Sequence, residues 1–96
     1  MRLIHHSAVA NDIARAVKWY RSIDLKLGDQ LLQELRTAFN EIEAFPKRSH
    51  FDNSGWRRCN LRLFPYHILF VQELDVIRVM VVRHNHQRPE FGTGRK

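Results

Sequence analysis

Pro65 separates two apolar runs, and that separation fixes what the second half of this chain can fold into. Proline has no backbone donor, so it marks a corner between strands and not a strand centre. Before it, Trp56 to Phe64 alternates in character. Cys59, Leu61 and Leu63 fall on one face, and Arg58, Asn60 and Arg62 on the other. That is the period of a half-buried strand. After it, Tyr66 to Val71 reads as a second strand. A third, Val76 to Arg83, follows the Glu73-Leu74-Asp75 turn and is apolar on both faces, as a central strand is. It runs into Arg83-His84-Asn85-His86-Gln87-Arg88-Pro89. A sheet that delivers a basic, histidine-rich cluster from the end of a central strand is suited to carry a site.

The first half is helical. Arg2 to His6 is a short strand, on which His5 and His6 point to opposite faces and do not converge on one metal ion. Ser7 is the expected N-cap of a helix in which Val9, Ile13, Val17 and Tyr20 recur at helical spacing as far as Ser22. Trp19 and Tyr20 are read as core or helix–helix contacts and not as base-stacking platforms. Asp24 caps a second helix, with Leu31, Leu35, Ala38, Ile42 and Phe45 as its buried stripe, widened by Leu32 and Phe39. Pro46 stops it. A polar loop follows, with its turn at Asn53-Ser54-Gly55.

The order is β-α-α-β-β-β. It predicts an α+β fold in which a helical hairpin packs on one face of a four-stranded, mainly antiparallel sheet. The other face is left open and carries Arg58, Asn60 and Arg62. The tail from Pro89 to Lys96 is expected to be mobile at its end.

The 96 residues make a single domain, 1–96, with room for one two-layer core. One cysteine cannot form an internal disulfide. No run approaches the ~20 apolar residues of a membrane span, and the N-terminus lacks an apolar export segment. A cytoplasmic location without a membrane partner is the expectation. The net charge of +6 favours anionic partners, either nucleic acid or an acidic protein. Its placement sharpens this. Arg57, Arg58, Arg62, Arg78, Arg83, Arg88 and Arg95 all lie in the C-terminal half, and the planar arginine fork suits phosphate and carboxylate.

Several chemistries are excluded. The glycines at 28, 55, 92 and 94 are scattered, so there is no phosphate-cradling loop. Cys59 alternates with leucines and reads as a small buried hydrophobe. His84 and His86 sit beside Arg83 and Arg88, which repel a cation, so neither a metal nor a cofactor is expected. What remains is His67, His84, His86, Arg58, Arg62, Arg83 and Arg88. Metal-free RNA cleavage needs a base, fixed cations at the phosphorane and an acid. These residues allow that. They equally allow a surface that binds phosphate or an acidic protein and does no chemistry.

The chain resembles the RelE/ParE superfamily of toxins from bacterial toxin–antitoxin modules. The matching pieces are Asp12-Ile13 and Trp19-Tyr20, then Leu27-Gly28, Ile42 to Pro46, and Arg58 with Leu61. Phe64-Pro65-Tyr66-His67-Ile68 follows, and Val82-Arg83-His84 runs into Arg88-Pro89-Glu90-Phe91 and Arg95. The likeness is to the ParE-like branch, often called plasmid stabilisation proteins. It implies a toxin held inactive by a cognate antitoxin, in an oligomer with it, and an action on DNA gyrase. The RelE branch instead cuts mRNA on the ribosome, and a degenerate member would only bind its antitoxin. The RelE pattern has a cation where Asn60 stands, arginines where His67 and His86 stand, and a tyrosine near Phe91 or Gly92. These departures favour the ParE-like reading. If the chain were a ribonuclease, His67 and His86 would transfer protons, brought together by antiparallel pairing of the last two strands. Target binding falls to Arg58, Arg62, Arg83, His84, Arg88, Phe91 and Arg95.

Overall fold

A computed structural model describes residues 1–96. Its elements are β1 (Arg2–His5), α1 (Val9–Ile23), α2 (Leu25–Ala44), β2 (His50–Phe51), β3 (Arg57–Asn60), β4 (Tyr66–Gln72) and β5 (Val76–His84). The strands form one sheet in the order β1-β5-β4-β3-β2. β1 runs parallel to β5, and every other pair is antiparallel. The α+β architecture is the expected one, with five strands in place of four. The extra strand is β2, a two-residue strand that pairs His50 with Arg58 and Phe51 with Arg57. Two residues are too few to leave an alternation in the sequence. Gly55, at φ +89, closes the turn between β2 and β3.

The helical hairpin turns on one residue. Asp24 ends α1, donating its N–H to the Tyr20 carbonyl at 3.0 Å. Its carboxylate then caps α2 by accepting the Lys26 N–H at 2.9 Å. The start of α1 departs from expectation. The N-cap is Ala8 and not Ser7. His6 does the work instead, its Nδ1 accepting the Ala8 N–H at 3.0 Å and its carbonyl the Val9 N–H at 3.0 Å. An imidazole nitrogen thus satisfies an amide that a serine hydroxyl usually takes.

Val9, Ala16 and Val17 of α1 and Leu31, Leu35, Ala38 and Ile42 of α2 pack on Ile68, Phe70, Ile77, Val79 and Val82 of the sheet. Tyr20 joins them, edge-on to Phe64 at 5.0 Å. Trp19 does not. It is 62% exposed, so only one of the two neighbouring aromatics faces the core. Phe45, expected on the stripe, is also exposed, because α2 ends at Ala44. Leu63 is a third correction, at 83% exposed. β3 stops at Asn60, so the alternation no longer applies, and Phe64 takes the buried place. The Glu34 carboxylate of α2 accepts the backbone N–H groups of Arg62 and Leu63 and pins the corner open-side out.

One irregularity decides what the sheet presents. Phe70 pairs with Val79 and Leu69 with Val81, which leaves Met80 as an extra residue on β5. This β-bulge reverses the alternation beyond it. Ile77 and Val79 face the helices, and so does Val82. Met80 and Val81 both turn to the opposite face, where they pack with Leu69 under Trp56, Val71 and Phe91. Arg83 is thereby placed on the face away from the helices, opposite His67.

Candidate functional site

Two rows of side chains cross the face opposite the helices. Arg83 on β5 lies opposite His67 on β4, which lies opposite Asn60 on β3. Beside them run Val81, Leu69 and Arg58. Arg83 and His67 are both buried. Arg83 donates from Nε to His67 Nε2 at 2.8 Å, and from Nη1 to the carbonyl oxygens of Pro89 at 2.5 Å and Phe91 at 3.1 Å. A guanidinium can only donate, so Nε2 is the acceptor and the histidine proton sits on Nδ1. From there it meets Asn85 Oδ1 at 2.8 Å. Burial lowers the His67 pKa, and the charges of Arg58 and Arg83 add to that shift against the opposing effects of Asn85 and Asp52.

Asp52 supplies the countercharge from the β2–β3 turn. Its carboxylate lies 3.8 Å from Arg83 Nη2 and 3.5 Å from Arg58 Nη1. Burial alone pushes this carboxyl up. The hydrogen bonds from Ser54 and Arg58 and the charge of Arg83 outweigh it and hold the group below the usual carboxylate range. Arg58 is further fixed by Nε donating to Asn60 Oδ1 at 2.8 Å.

The tail is not loose. Gly92, at φ +80, sits against Val81, where a Cβ would lie 2.6 Å from a valine methyl. Arg95 reaches α1 and grips Asp12 with both arms, Nη1 to Oδ2 at 2.6 Å and Nη2 to Oδ1 at 2.9 Å. Asp12 is buried in the first turn of α1. β1 pairs with β5 only as far as Val79, so the next backbone groups of β5 lack a strand partner. The same two side chains take them. Asp12 Oδ2 accepts the Val82 N–H at 3.1 Å, and Arg95 Nη1 donates to the Met80 carbonyl at 2.9 Å. An ion pair thus stands in for the missing end of a strand, as buried backbone groups require. Phe91 lies 5.4 Å from the guanidinium carbons of both Arg15 and Arg95.

The remaining expected residues fall elsewhere. Arg62 is not beside Arg58. It is exposed beyond the end of β3, 3.8 Å from Glu41 of α2. His84 turns to the helix side, edge-on to Tyr66 at 5.0 Å. His86 stacks on His84 at 5.4 Å and donates its N–H to His84 Nδ1 at 3.0 Å. His67 contacts Arg83 and Asn85, so the two expected proton-transfer histidines belong to different clusters. Arg88 is exposed and makes no side-chain bond. Asp12 entered the sequence reading only as a matching piece of the resemblance, with no role, and Asp52 and Asn85 had no role there either. Asp12 had a signal, an acidic residue one turn from Val9 and Ala16 on the apolar stripe. Asp52 and Asn85 lie in loops and had none. No three His, Cys, Asp or Glu side chains gather to hold a metal ion, and no helix is long and apolar enough to cross a membrane.

Residues 3–89 match the family described as the ParE toxin of the type II toxin–antitoxin system, parDE. Among solved structures, a chain of the chromosomal ParDE TA system from P. aeruginosa is similar in fold. It shares 14% identity at a TM-score of 0.77, over 88% of this chain and 95% of that one. No curated protein sequence matches.

Proposed function

The chain belongs to the family of ParE toxins of type II toxin–antitoxin systems, and we propose that it arrests growth by binding DNA gyrase and is neutralised by a cognate antitoxin. The observation that carries binding over cleavage is the state of His67. Both its nitrogens are engaged, Nε2 in a buried bond from Arg83 and Nδ1 with the exposed Asn85, so it has no free lone pair for a 2′-hydroxyl. His86 is exposed, and its neighbour is His84 at 5.4 Å and not His67. A binding surface needs only fixed charge and shape. Here Arg88 is exposed at the start of a tail that is packed on the sheet through Gly92 and on α1 through Arg95.

The antitoxin in this reading is acidic and partly disordered, and orders as it covers the basic sheet face and the apolar borders of the helices. Exposed Trp19, Ile23, Leu25 and Leu63 are the apolar groups it covers. A groove of about 430 Å³ between α2 and the corner after β3, lined by Gln33, Glu34, Thr37, Leu61 and Leu63 among others, gives an extended segment a place to lie. The test is expression of the chain with and without the small gene beside its own. Arrest relieved by the neighbour, with the two products co-purifying and gyrase captured by the chain alone, is the expected result. Arrest that the neighbour cannot relieve, or no capture of gyrase at low salt, contradicts it.

A further inference from the structure

Arg83 and Arg95 were expected among the residues that touch the target. Their geometry gives them another task. We infer that Asp12, Arg83 and Arg95 are positioning residues, which hold the tail from Pro89 to Lys96 in a preformed shape, and that the exposed cation Arg88 meets the target. This rests on the reading of the tail as target-contacting.

Three observations carry it. Arg83 spends Nε on His67 and Nη1 on the carbonyls of Pro89 and Phe91, and its Nη2 lies 3.8 Å from Asp52. Its side chain is 3% exposed, so it offers a partner almost no surface. Arg95 spends both arms on Asp12 and a third bond on Met80. Between these clamps the tail makes successive turns, with Phe91 N–H on the Arg88 carbonyl, Thr93 N–H on Glu90 and Arg95 N–H on Gly92. Gly92 seats the middle of the tail on Val81.

The tail is therefore held at both ends and in the middle. Arg88, just before the first clamp, is exposed and uncommitted. A chain ordered before binding gives up less entropy on meeting its target than a free tail does. Loosening the tail weakens target binding even when every contacting side chain remains. Asp12 is the root of the arrangement, because its carboxylate holds Arg95 and the β5 edge together.

The experiment separates holding from touching. Four variants are compared with the wild type: Arg95→Gln, Asp12→Asn, Arg88→Ala, and a chain ending at Glu90. Hydrogen exchange at the Thr93 and Arg95 amides reports tail order, and exchange in α2 reports the fold. Growth arrest and antitoxin affinity report function. Arg95→Gln and Asp12→Asn are expected to speed tail exchange by about tenfold or more while α2 stays protected. Arrest should be lost and antitoxin affinity kept, and Arg95→Lys should restore part of both tail order and arrest. Arg88→Ala should lose arrest with the tail exchange unchanged. If Asp12→Asn fails to fold, Arg95→Gln decides, since its side chain lies at the rim. A loosened tail with full arrest overturns the inference, as does unchanged exchange in Arg95→Gln. Full arrest by the chain ending at Glu90 overturns the target-contacting reading of the tail itself. Loss of arrest there together with full arrest in Arg95→Gln overturns only the positioning role.

Discussion

Arg83 Nε and His67 Nε2 are 2.8 Å apart in the interior, a hydrogen bond that exists only while the histidine is neutral. Protonating His67 would set two donors against each other.

A pH dependence follows. The folded protein holds the His67 pKa below the ordinary 6.5, chiefly by burial. Below that value the unfolded chain takes up a proton that the folded one resists. Stability therefore rises with pH through this window and is lost as pH falls below about 6.5. His5 is lowered in the same direction by burial and adds to the slope. Asp52, also lowered, adds a second loss below about pH 4. Thermal unfolding from pH 8 to pH 5 should show a falling Tm. His67→Gln, whose amide oxygen can accept from Arg83, should reduce the slope. A Tm that rises on acidification contradicts this.

Arg83→Ala removes the donor to His67, Pro89 and Phe91 together. The cost is about 2–4 kcal/mol, from one buried acceptor, His67, and two part-buried carbonyls left unpaired. In a domain of this size that lowers Tm by about 8 °C or more. Arg88→Ala, at an exposed side chain with no bond, should stay within roughly 0.5 kcal/mol. Calorimetry of the two variants tests the contrast.

Gly92 and Gly94 form a matched pair. Alanine at Gly92 meets both a φ of +80 and a valine methyl at 2.6 Å. It should cost about 1–3 kcal/mol or release the tail. Alanine at Gly94 finds nothing within 4 Å and no unusual φ, and should be neutral. Tm and exchange at Thr93 distinguish them.

These predictions show where the sequence was readable. The helical stripe of Leu31, Leu35, Ala38 and Ile42, the Asp24 cap and the corner at Pro65 are local signals with one physical meaning each. The placement of Arg83 was not local. It depends on the bulge at Met80, and no residue in Val79-Met80-Val81 announces that one of them is extra. Arg62 was misplaced for a related reason. Alternation was carried two residues past Asn60, where β3 ends and Glu34 takes the N–H groups of Arg62 and Leu63. The tail was expected to be mobile at its end, as chain termini commonly are. Its order comes from an aspartate 83 residues away.

Cys59 is half-buried between β3 and α2. Burial first, then the charge of Glu41, pushes its thiol up, against a hydrogen bond with Ser49 and the charge of Arg62. It should react slowly with thiol reagents at neutral pH. Cys59→Ala should cost roughly 1 kcal/mol and leave growth arrest intact. Lost arrest with unchanged melting would give the thiol a role in function.

The central claim is that this toxin works by binding and not by cutting. Inducing the chain alone in cells and following plasmid supercoiling and ribosome-bound mRNA ends over the first minutes tests it most directly. The account predicts that supercoiling falls and DNA breaks appear first, that mRNA ends stay unchanged, and that His86→Ala arrests growth as the wild type does. New mRNA ends that appear first and vanish in His86→Ala would contradict it.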